Sequence, residues 1–465
     1  MELTLEHSPI PGLVVLRLPV HADARGWFKE NWQREKMVAL GLPDFEPVQN
    51  NVSFNGSRGA TRGLHAEPWD KLVSVASGRV FGAWVDLRPG DSFGTVFHVE
   101  IDPSVSVFVP RGVANGYQTL EDATAYTYLV NAHWRAGVTY PALALGDPTC
   151  AVPWPIPLAE SEISEKDQRN PLLGDVAPMQ PRRTLVLGAR GQLGRAFASA
   201  FPAADVVDLD ELDITDASAV AAWPWQDYDL VLNAAAYTAV DAAEAPEGRR
   251  VAWAANATAV SLLAQVCREH RLTLVHVSSD YVFDGTVCPH TEDEPLSPLG
   301  VYGQSKAAGD VAAASVPRHY LLRTSWVVGD GANFVRTMAS LAARGISPAV
   351  VSDQVGRLTF TTEIVRAARH LLDSGAAYGT YNVTNSGPPT SWADLAREVF
   401  GLCGRSPADV TPVSTEEYAA GKALAPRPLN SVLSLAKIEA TGFTPEPVSE
   451  ALGRYVSELL ADAPI

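Results

Sequence analysis

Cysteine is scarce in this chain of 465 residues, which contains four, and no two of them have CxxC spacing. Cys150, Cys267, Cys288 and Cys403 therefore predict reduced thiols in a cytoplasmic protein rather than a disulfide framework. No apolar run approaches the roughly 18 residues of a membrane helix, and the first residues lack the basic and apolar regions of a signal peptide. Basic residues are outnumbered, with 36 Lys and Arg against 53 Asp and Glu, so the net charge is −17. This negative charge argues against nucleic acid or an anionic membrane as a partner.

The chain changes in character near its middle. Residues 10–155 contain short β-type runs broken by glycine and proline, which is typical of an antiparallel sandwich or barrel. The proline-rich segments 152–157 and 169–183 follow, and the second has the composition of a linker. After Thr184, apolar runs alternate with alanine-rich helical stretches, which indicates βαβ units around a parallel sheet.

We therefore predict a multidomain protein. An all-β domain occupies residues 1–170, a linker 171–182 and an α/β domain 183–465. The less regular sequence after about residue 333 predicts a substrate lobe over the parallel sheet.

A glycine-spaced turn follows the apolar run at 184–187. The spacing of Gly188, Gly191 and Gly194 lets the backbone approach a pyrophosphate, which free N–H groups at the next helix N-terminus stabilise. This turn normally belongs to the first βα unit of a dinucleotide-binding fold. Its late position predicts that the upstream part is a separate domain with its own function.

Three residues of the downstream part predict hydride-transfer chemistry. Tyr302 and Lys306 are four apart and therefore lie on one face of a helix. The lysine, with the positive field of a nicotinamide ring, is expected to lower the phenol pKa from about 10 toward neutrality, so that the tyrosine protonates an alkoxide. Ser279 ends an apolar strand, where its hydroxyl can hold a substrate carbonyl. Tyr-x3-Lys is common by chance, but the combination with the glycine turn is specific.

The downstream motifs resemble dTDP-4-dehydrorhamnose reductase; they occupy residues 233–241, 279–285, 301–306, 323–326, 333–335, 353–354 and 427–431. The resemblance covers residues 183–460. It implies a Rossmann domain of the extended short-chain dehydrogenase type that reduces the 4-keto group of a dTDP-6-deoxyhexulose with NADPH or NADH. It also implies that Ser279, Tyr302 and Lys306 form the catalytic triad. The family more often has Thr where this chain has Ser279, and Gly-x-Pro-Thr where it has Gly-Arg-Leu-Thr at 356–359.

The same resemblance implies further binding residues. The expected cofactor-binding residues are Gly188, Arg190, Gly191, Gln192, Leu193, Gly194, Asp213, Ala234, Ala235, Ala236, Tyr302 and Lys306. The expected substrate-binding residues of this domain are Ser279, Asp280, Trp326 and Arg427. The choice of cofactor stays open, because Asp208 or Asp210 could hold a ribose hydroxyl and favour NADH, whereas Arg190 and Arg195 could meet the 2′-phosphate of NADPH.

His65 precedes the β-run that begins at Lys71. A metal-binding cupin would offer His-x-His here and another histidine after Pro-x-Gly, but the chain has His65-Ala-Glu67 and Asn115 at these places. Because two imidazole ligands are missing, no metal is expected in this domain. Alternatively, neutral His65 can abstract a proton next to a ketone while Lys71 stabilises the enolate oxygen. The carboxylates at 158–167 are candidates to orient His65, but the sequence does not place one beside it.

Motifs of the upstream half resemble dTDP-4-dehydrorhamnose 3,5-epimerase; they occupy residues 23–30, 49–53, 62–65, 71–73, 85–88, 110–116, 152–155 and 164–167. The resemblance spans residues 5–170 and implies a metal-free cupin jelly roll. It implies a His65–Asp167 dyad, Lys71 at the enolate oxygen, and Arg25 and Arg62 near the diphosphate. The other expected substrate-binding residues are Glu30, Gln49 and Asn51.

One departure from this family concerns proton delivery. The family has a Tyr-Tyr pair that supplies a donor on the opposite face of the sugar, whereas this chain has His133 and Trp134. An indole N–H is a hydrogen-bond donor but not a practical acid. Either His133, Tyr126 or Tyr140 substitutes, or one of the two epimerisations is impaired.

Together these features predict a bifunctional enzyme of dTDP-L-rhamnose biosynthesis. The upstream domain would epimerise dTDP-4-dehydro-6-deoxy-D-glucose, and the downstream domain would reduce the C4 ketone of the product. One alternative is a reductase fused to a cupin that only binds a sugar nucleotide, mediates oligomerisation or epimerises a single carbon. Another is the same chemistry on a different nucleotide-linked 6-deoxy-4-ketohexose. The expected partners are dTDP-sugars and further copies of the chain, with a dimer favoured.

Overall fold

The computed structural model describes residues 2–134, 137 and 139–462. The chain folds into two compact units, Met1–Pro181 and Arg182–Ile465. None of the described helices is long and apolar enough to cross a membrane.

The first unit consists almost entirely of strands. Its elements are β1 (Thr4–His7), β2 (Val14–Arg17), β3 (Val20–Asp23), β4 (Gly26–Lys29), α1 (Arg34–Ala39), β5 (Gln49–Asn55), β6 (Ala60–His65), β7 (Lys71–Ser77), β8 (Val80–Asp86), β9 (Val96–Ile101), β10 (Val105–Val109), β11 (Val113–Thr119), β12 (Thr124–Val130) and β13 (Glu162–Ile163).

Two sheets enclose the core of this unit. A six-stranded sheet has the order β1-β2-β10-β7-β12-β5, and a five-stranded sheet has the order β13-β6-β11-β8-β9. Side chains from both sheets share one cluster, in which Val73 and Val75 of the first meet Trp84, Val113 and Tyr117 of the second. Because strand side chains alternate between faces, these residues define the inner face of each sheet. The all-β jelly-roll prediction is confirmed.

The segment predicted as a linker packs against the first unit. Leu173, Val176 and Met179 are buried on the outer face of the five-stranded sheet, together with Leu143 and Leu145. Burial of these three apolar side chains stabilises the packed position of the segment, although its proline and glycine content is typical of a linker.

The second unit alternates strands and helices. Its elements are β14 (Arg183–Leu187), α2 (Gln192–Ala200), β15 (Asp205–Val207), α3 (Ala217–Ala222), β16 (Tyr228–Asn233), α4 (Pro246–Trp253), α5 (Ala259–His270), β17 (Thr273–Ser279), α6 (Val301–Ala314), β18 (His319–Thr324), β19 (Val327–Val328), α7 (Phe334–Ala343), β20 (Ala349–Val351), β21 (Val355–Gly356), β22 (Thr359–Phe360), α8 (Thr361–Ser374), β23 (Gly379–Asn382), β24 (Thr390–Ser391), α9 (Trp392–Leu402), β25 (Thr411–Val413), α10 (Thr415–Ala419), α11 (Ala436–Glu439) and α12 (Val448–Asp462).

A six-stranded parallel sheet with the order β15-β14-β16-β17-β18-β23 forms the centre of this unit. Helix α5 packs on one face through Leu263 and Cys267, and α8 packs on the other through Ile364 and Leu371. The strand order reverses between β14 and β16, so the crevice beyond their carboxyl ends is the expected ligand position in such a sheet. The predicted Rossmann-type domain is confirmed.

The later helices form a second core beside the sheet. Val335 and Met338 of α7, Val399 of α9 and Leu452 and Val456 of α12 are buried together. This cluster corresponds to the irregular region for which the sequence predicts a substrate lobe.

Candidate active sites

His65 and Asp167 meet in the first unit although 102 positions separate them, with His65 Nε2 2.7 Å from Asp167 Oδ1. His65 ends β6, and Asp167 begins a short 3₁₀ turn whose first N–H is bound by the Ser164 hydroxyl. Burial by itself raises the pKa of Asp167, but the hydrogen bond and charge of His65 and the Gly63 N–H together hold it below its usual value. Because an ionised carboxylate only accepts, Nε2 carries the hydrogen, and Nδ1 of the neutral ring keeps its lone pair.

Lys71 lies on the facing sheet as an ion pair with Glu67. The Lys71 Nζ is 2.5 Å from Glu67 Oε2, and the two side chains are only 4% and 14% exposed. Lys71 begins β7, where it pairs with Val130 of β12. A buried ammonium that keeps a carboxylate partner can still donate to an oxygen on which negative charge develops.

A cavity of about 430 Å³ is lined by the His65–Asp167 pair at one sheet and by Lys71 on the other. Its volume is within the usual size of a small-molecule site. Its lining residues include Arg62, His65, Glu67, Lys71, Asn115, Tyr117, Tyr126, Tyr128, Lys166 and Asp167. Three of the tyrosines thus face the same space as the His65–Asp167 pair.

Four of the residues predicted to bind substrate in this unit lie elsewhere. Arg25 pairs with Asp23 in the turn between β3 and β4, and its side chain is 90% exposed. Glu30 pairs with Lys36, and Gln49 bonds Asn51. None of these four lines the described cavity, whereas Arg62 does. The hairpin β3–β4 explains the position of Arg25, because these strands pair only with each other among the described strands.

The residues considered for proton delivery fall into two groups, two that are exposed outside the cavity lining and two that lie in or near the cavity. Trp134 is 60% exposed, and its backbone N–H donates to Gln49. His133 is exposed as well and does not line the described cavity. Tyr126 lines the cavity, and the Tyr140 ring lies edge-on to His65 with 6.0 Å between centroids.

In the second unit, the glycine turn forms a close contact with the neighbouring loop. Gly188 has φ +73°, and a Cβ there would lie 2.7 Å from the Ala235 Cα. A Cβ on Gly194 would lie 2.0 Å from the Gly188 carbonyl oxygen. Gly191 precedes α2, whose first N–H groups have no side-chain cap. These backbone groups at a helix N-terminus form the cradle that a pyrophosphate needs.

The segment after β15 presents a cluster of charges beside this turn. Asp208 accepts the Arg190 N–H at 2.8 Å, and the Arg190 guanidinium pairs with Asp210 at 2.6 Å and Glu211 at 3.2 Å. The Asp213 carboxylate, by contrast, accepts the N–H and hydroxyl of Thr215 within its own turn.

Ser279, Tyr302 and Lys306 come together at the carboxyl end of β17. Lys306 Nζ donates to the Val277 carbonyl at 2.8 Å, which holds the side chain beneath the strand end. Burial raises the pKa of Tyr302 to about 12, and a hydrogen bond with Ser279 opposes this shift. Burial also lowers the pKa of Lys306 to about 8, while the charge of Asp310 opposes the decrease. The expected lowering of the Tyr302 pKa includes the positive field of a bound nicotinamide ring, so it stays a prediction for the cofactor-bound enzyme.

The other expected sugar-binding residues differ in their surroundings. Asp280 is buried, accepts the Ser279 hydroxyl at 3.0 Å, and burial raises its pKa to about 6. Arg427 is held by Asp241 at 2.8 Å. Trp326 stacks on Trp392 with 3.7 Å between centroids, which places its ring in the packing of the second core.

Two family models match the chain in series. The model described as dTDP-4-dehydrorhamnose 3,5-epimerase matches residues 7–175, and that of the RmlD substrate binding domain matches residues 182–461. The first part is 50% identical over 184 residues to the Streptococcus pyogenes serotype M6 protein RmlC homolog, covering 38% of this chain and 92% of that protein. The chain belongs to both families.

For the RmlD part, a 42% identical relative over 276 residues is the probable dTDP-4,6-dihydroxy-2-methyloxan-3-one 4-ketoreductase of Streptomyces antibioticus, covering 57% of this chain and 90% of that protein. A crystal structure of dTDP-4-dehydrorhamnose reductase from Bacillus anthracis in complex with NADP is 32% identical, with a TM-score of 0.55, and covers 60% of this chain and 99% of that one. The prediction of an epimerase domain fused to an NAD(P)H-dependent reductase domain is confirmed.

Sequence reasoning missed several residues of the epimerase cavity, among them Glu67, Tyr117 and Tyr128. The alternation of Tyr126 and Tyr128 along β12 was a usable signal, because residues two apart on a strand share a face. Glu67 gave no such signal, because it lies in the loop between β6 and β7, where side chains do not alternate between faces.

Proposed function

We propose that this chain catalyses two consecutive steps of dTDP-L-rhamnose synthesis. Residues 1–181 epimerise dTDP-4-dehydro-6-deoxy-D-glucose at C3 and C5, and residues 182–465 reduce the C4 ketone with NAD(P)H. The proposal rests on one observation: each family part of the same chain brings its acid–base residues together, at His65–Asp167 and at Ser279–Tyr302–Lys306. The product of the first step is the substrate of the second.

In the epimerase domain, we assign proton abstraction to His65 Nδ1. Asp167 keeps the hydrogen on Nε2 and stabilises the imidazolium that forms. The Lys71 ammonium, at the cavity wall, stabilises the negative charge on the C4 oxygen of the enolate. Arg62 supplies a positive charge at the same cavity for the diphosphate.

In the reductase domain, we assign the proton transfer to Tyr302. A nicotinamide dinucleotide, when bound, supplies the hydride. Tyr302 protonates the C4 oxygen, Ser279 hydrogen-bonds the same carbonyl, and Lys306 holds positive charge near the phenol. The cradle of Gly188, Gly194 and the start of α2 is suited to the pyrophosphate, since side chains there would fill the space.

Cofactor preference depends on the charges after β15. Asp208, Asp210 and Glu211 place three carboxylates around Arg190, whose guanidinium already pairs with two of them. A 2′-phosphate would meet this negative charge, whereas a ribose hydroxyl can donate to a carboxylate. We therefore expect NADH to be used at least as efficiently as NADPH.

The kcat/KM values for the two cofactors test this expectation. Asp208→Asn should shift the ratio toward NADPH by about tenfold, which corresponds to about 1.4 kcal/mol. Asp216→Asn is the matched control, because the Asp216 carboxylate accepts the Ser218 N–H at the start of α3 and is not an expected cofactor-binding residue. A wild-type preference for NADPH of more than tenfold would contradict the assignment.

We also propose that the protein is a homo-oligomer, with a dimer as the simplest form. Phe28 of the hairpin and Val52 and Phe54 of the edge strand β5 are 65%, 66% and 65% exposed. Apolar side chains on an isolated hairpin and an open sheet edge are typical of surfaces covered by another chain. A second copy on this surface would let Arg25 reach a cavity other than that of its own subunit.

One experiment tests both activities. The full chain is incubated with dTDP-4-dehydro-6-deoxy-D-glucose and NADPH or NADH in D₂O, and the product is examined by NMR. We expect deuterium at C3 and C5 and a reduced C4. Reduction without deuterium at C3 and C5 would favour a reductase fused to a cupin that only binds, and deuterium at one carbon would favour a single-position epimerase.

A further inference from the structure

A buried ion pair lies behind the reductase triad. Arg323 Nε is 3.0 Å from Asp310 Oδ2, and the two side chains are only 6% and 2% exposed. Arg323 Nη1 also donates to the Glu292 carbonyl at 2.9 Å. Arg323 begins the motif at 323–326, in which only Trp326 has an expected role. Because taking two charges out of water is costly, such a pair is by itself a poor source of stability.

The pair lies on the same side of the parallel sheet as Lys306. Leu321, two residues before Arg323 on β18, is buried in one cluster with Ala313 of α6. Since residues two apart on a strand share a face, Arg323 also points toward α6. Asp310 lies four residues after Lys306, so the two are on one face of this helix. Asp310 therefore bonds Arg323 directly and is the neighbour of Lys306 along α6.

Lys306 depends on a nearby negative charge. It is 2% exposed, and its Nζ donates to the Val277 carbonyl at 2.8 Å. A carbonyl has no net charge, so this bond does not offset the full cost of burying an ammonium. Burial lowers the pKa of Lys306 to about 8, and the charge of Asp310 opposes the decrease.

The other titratable groups near Lys306 do not replace the Asp310 carboxylate. His276 accepts a hydrogen bond from the Asn233 amide, and burial and the Lys306 charge lower its pKa well below the usual value, so the ring is neutral. Tyr302 is protonated, since burial raises its pKa to about 12. The remaining charged groups of the elements around α6 bond elsewhere: Glu244 accepts the Val301 N–H, Glu247 pairs with Arg250, Arg268 donates to Ser315, and Asp280 accepts the Ser279 hydroxyl.

Arg323 keeps the Asp310 carboxylate ionised. Burial by itself raises the pKa of Asp310, and the charge of Arg323 is the largest effect that opposes the rise. A guanidinium does not lose its proton in proteins, so it favours the charged form of a carboxylate bonded to it. We propose that Asp310, held ionised by Arg323, is a positioning residue that keeps Lys306 protonated during reduction, an inference that rests on the proposed reductase function.

Asp310→Asn in the full chain tests this role through the pH dependence of kcat for reduction. The amide keeps an oxygen that accepts the Arg323 N–H, but it removes the negative charge. The pKa of Lys306 then falls, so Lys306 loses its proton at a lower pH. We expect the alkaline decline of kcat to begin about one pH unit or more below that of the wild type, as for the loss of a nearby opposite charge.

The size of the effect should depend on pH. Above the decline of both proteins, a shift of one unit makes the variant about tenfold slower. At about pH 6, Lys306 is charged in both proteins, so the two kcat values should agree within about threefold. A purely structural defect would lower kcat by the same factor at every pH.

The assay measures consumption of saturating NADPH. An excess of the Tyr302→Phe chain supplies the epimerised ketone at each pH, because this variant keeps the epimerase residues and lacks the acid of the reduction. The variant under test is limiting, so the rate must be proportional to its concentration.

Glu363→Gln is the matched control. Glu363 is another buried carboxylate of this unit, with a 0% exposed side chain that pairs with Arg366 at 2.5 Å, but it belongs to α8 on the other face of the sheet. This variant should keep the alkaline decline at the pH of the wild type.

The double variant Asp310→Asn/Arg323→Gln leaves no unpaired charge in the core, so it serves if the single variant folds poorly. It should show the same shift to lower pH, since it also lacks the Asp310 charge. The inference is overturned if the decline stays at the wild-type pH or moves to higher pH, or if kcat falls equally at all pH values. A wild-type chain that consumes no NADPH in this assay contradicts the proposed function instead.

Discussion

Buried ionisable side chains dominate the chemistry of the reductase site. The pKa values of Tyr302, Lys306 and Asp280 are shifted by burial to about 12, 8 and 6 respectively. Each shift favours the neutral form, because burial penalises charge. Tyr302 is therefore suited to donate a proton at neutral pH, whereas Asp280 carries a charge at a cost to stability.

Asp280→Asn should stabilise the reductase unit at neutral pH. The folded pKa of about 6 lies above the ordinary value of 3.8, so the folded state holds an extra proton between these values. Stability is lost as pH rises through this window, and the full cost, of the order of 3 kcal/mol, is present above pH 6. We expect the variant to unfold at a higher temperature at pH 7.5, and the gain to disappear near pH 4.

Calorimetry of the full chain measures this effect, with the reductase transition identified by its shift on adding NADPH. Asp284→Asn is the matched control, because Asp284 lies close in sequence and its pKa is lowered by hydrogen bonds from Thr286. A stability gain of Asp280→Asn that is the same at pH 4 and pH 7.5 would show that burial of the charge is not its cause.

The glycine turn and α2 act as one element. Gly194→Ala would force a methyl group to within 2.0 Å of the Gly188 carbonyl, so the helix must move away from the turn. We expect weaker NAD(P)H binding by at least tenfold and a destabilisation of about 1–3 kcal/mol, as for other overpacked sites. Fluorescence titration with NADPH and thermal unfolding measure the two effects.

Gly401→Ala, in helix α9, is the control for this element. Its Cβ would meet no heavy atom within 4 Å, so both binding and stability should be kept. Equal losses in the two variants would mean that the close approach of α2 to the turn does not matter for binding.

Strand β12 shows what residue spacing along a single strand predicts and what it does not. The period-two placement of Tyr126 and Tyr128 predicts a shared face, and both line the cavity. It does not predict that the Tyr126 hydroxyl donates to Asn115, because Asn115 belongs to the opposite sheet.

We expect the proposed dimer to dissociate when a charged residue is introduced into the exposed apolar surface of Phe28, Val52 and Phe54. Phe28→Glu places a carboxylate on a side chain that is 65% exposed, so the isolated subunit tolerates it while an interface would bury the charge. We expect sedimentation to shift from a dimer to a monomer. Leu460→Glu, at a side chain that is 46% exposed, should leave the assembly unchanged. A wild-type monomer at micromolar concentration would contradict the proposed dimer.

Local patterns were sufficient for much of this protein. Alternating apolar runs predicted the two fold classes, and the motif around Gly188 and the Tyr302–Lys306 spacing predicted the reductase site, because both depend on residues close in sequence. The composition that predicts a linker at 171–182 does not predict that Leu173, Val176 and Met179 are buried on the first unit. Composition describes how flexible a segment is, but a few buried apolar side chains decide where it lies.

The sequence by itself determined that one chain carries two families, each with its acid–base residues in recognisable motifs. The resemblance implied the His65–Asp167 dyad, but only the tertiary structure placed these side chains 2.7 Å apart across 102 positions. It also left Arg25 out of the cavity lining of its own unit and brought Tyr128 into that lining. The reason is that these relations join different strands, sheets and loops. Their geometry follows from register and packing between elements, which no local spacing of residues encodes.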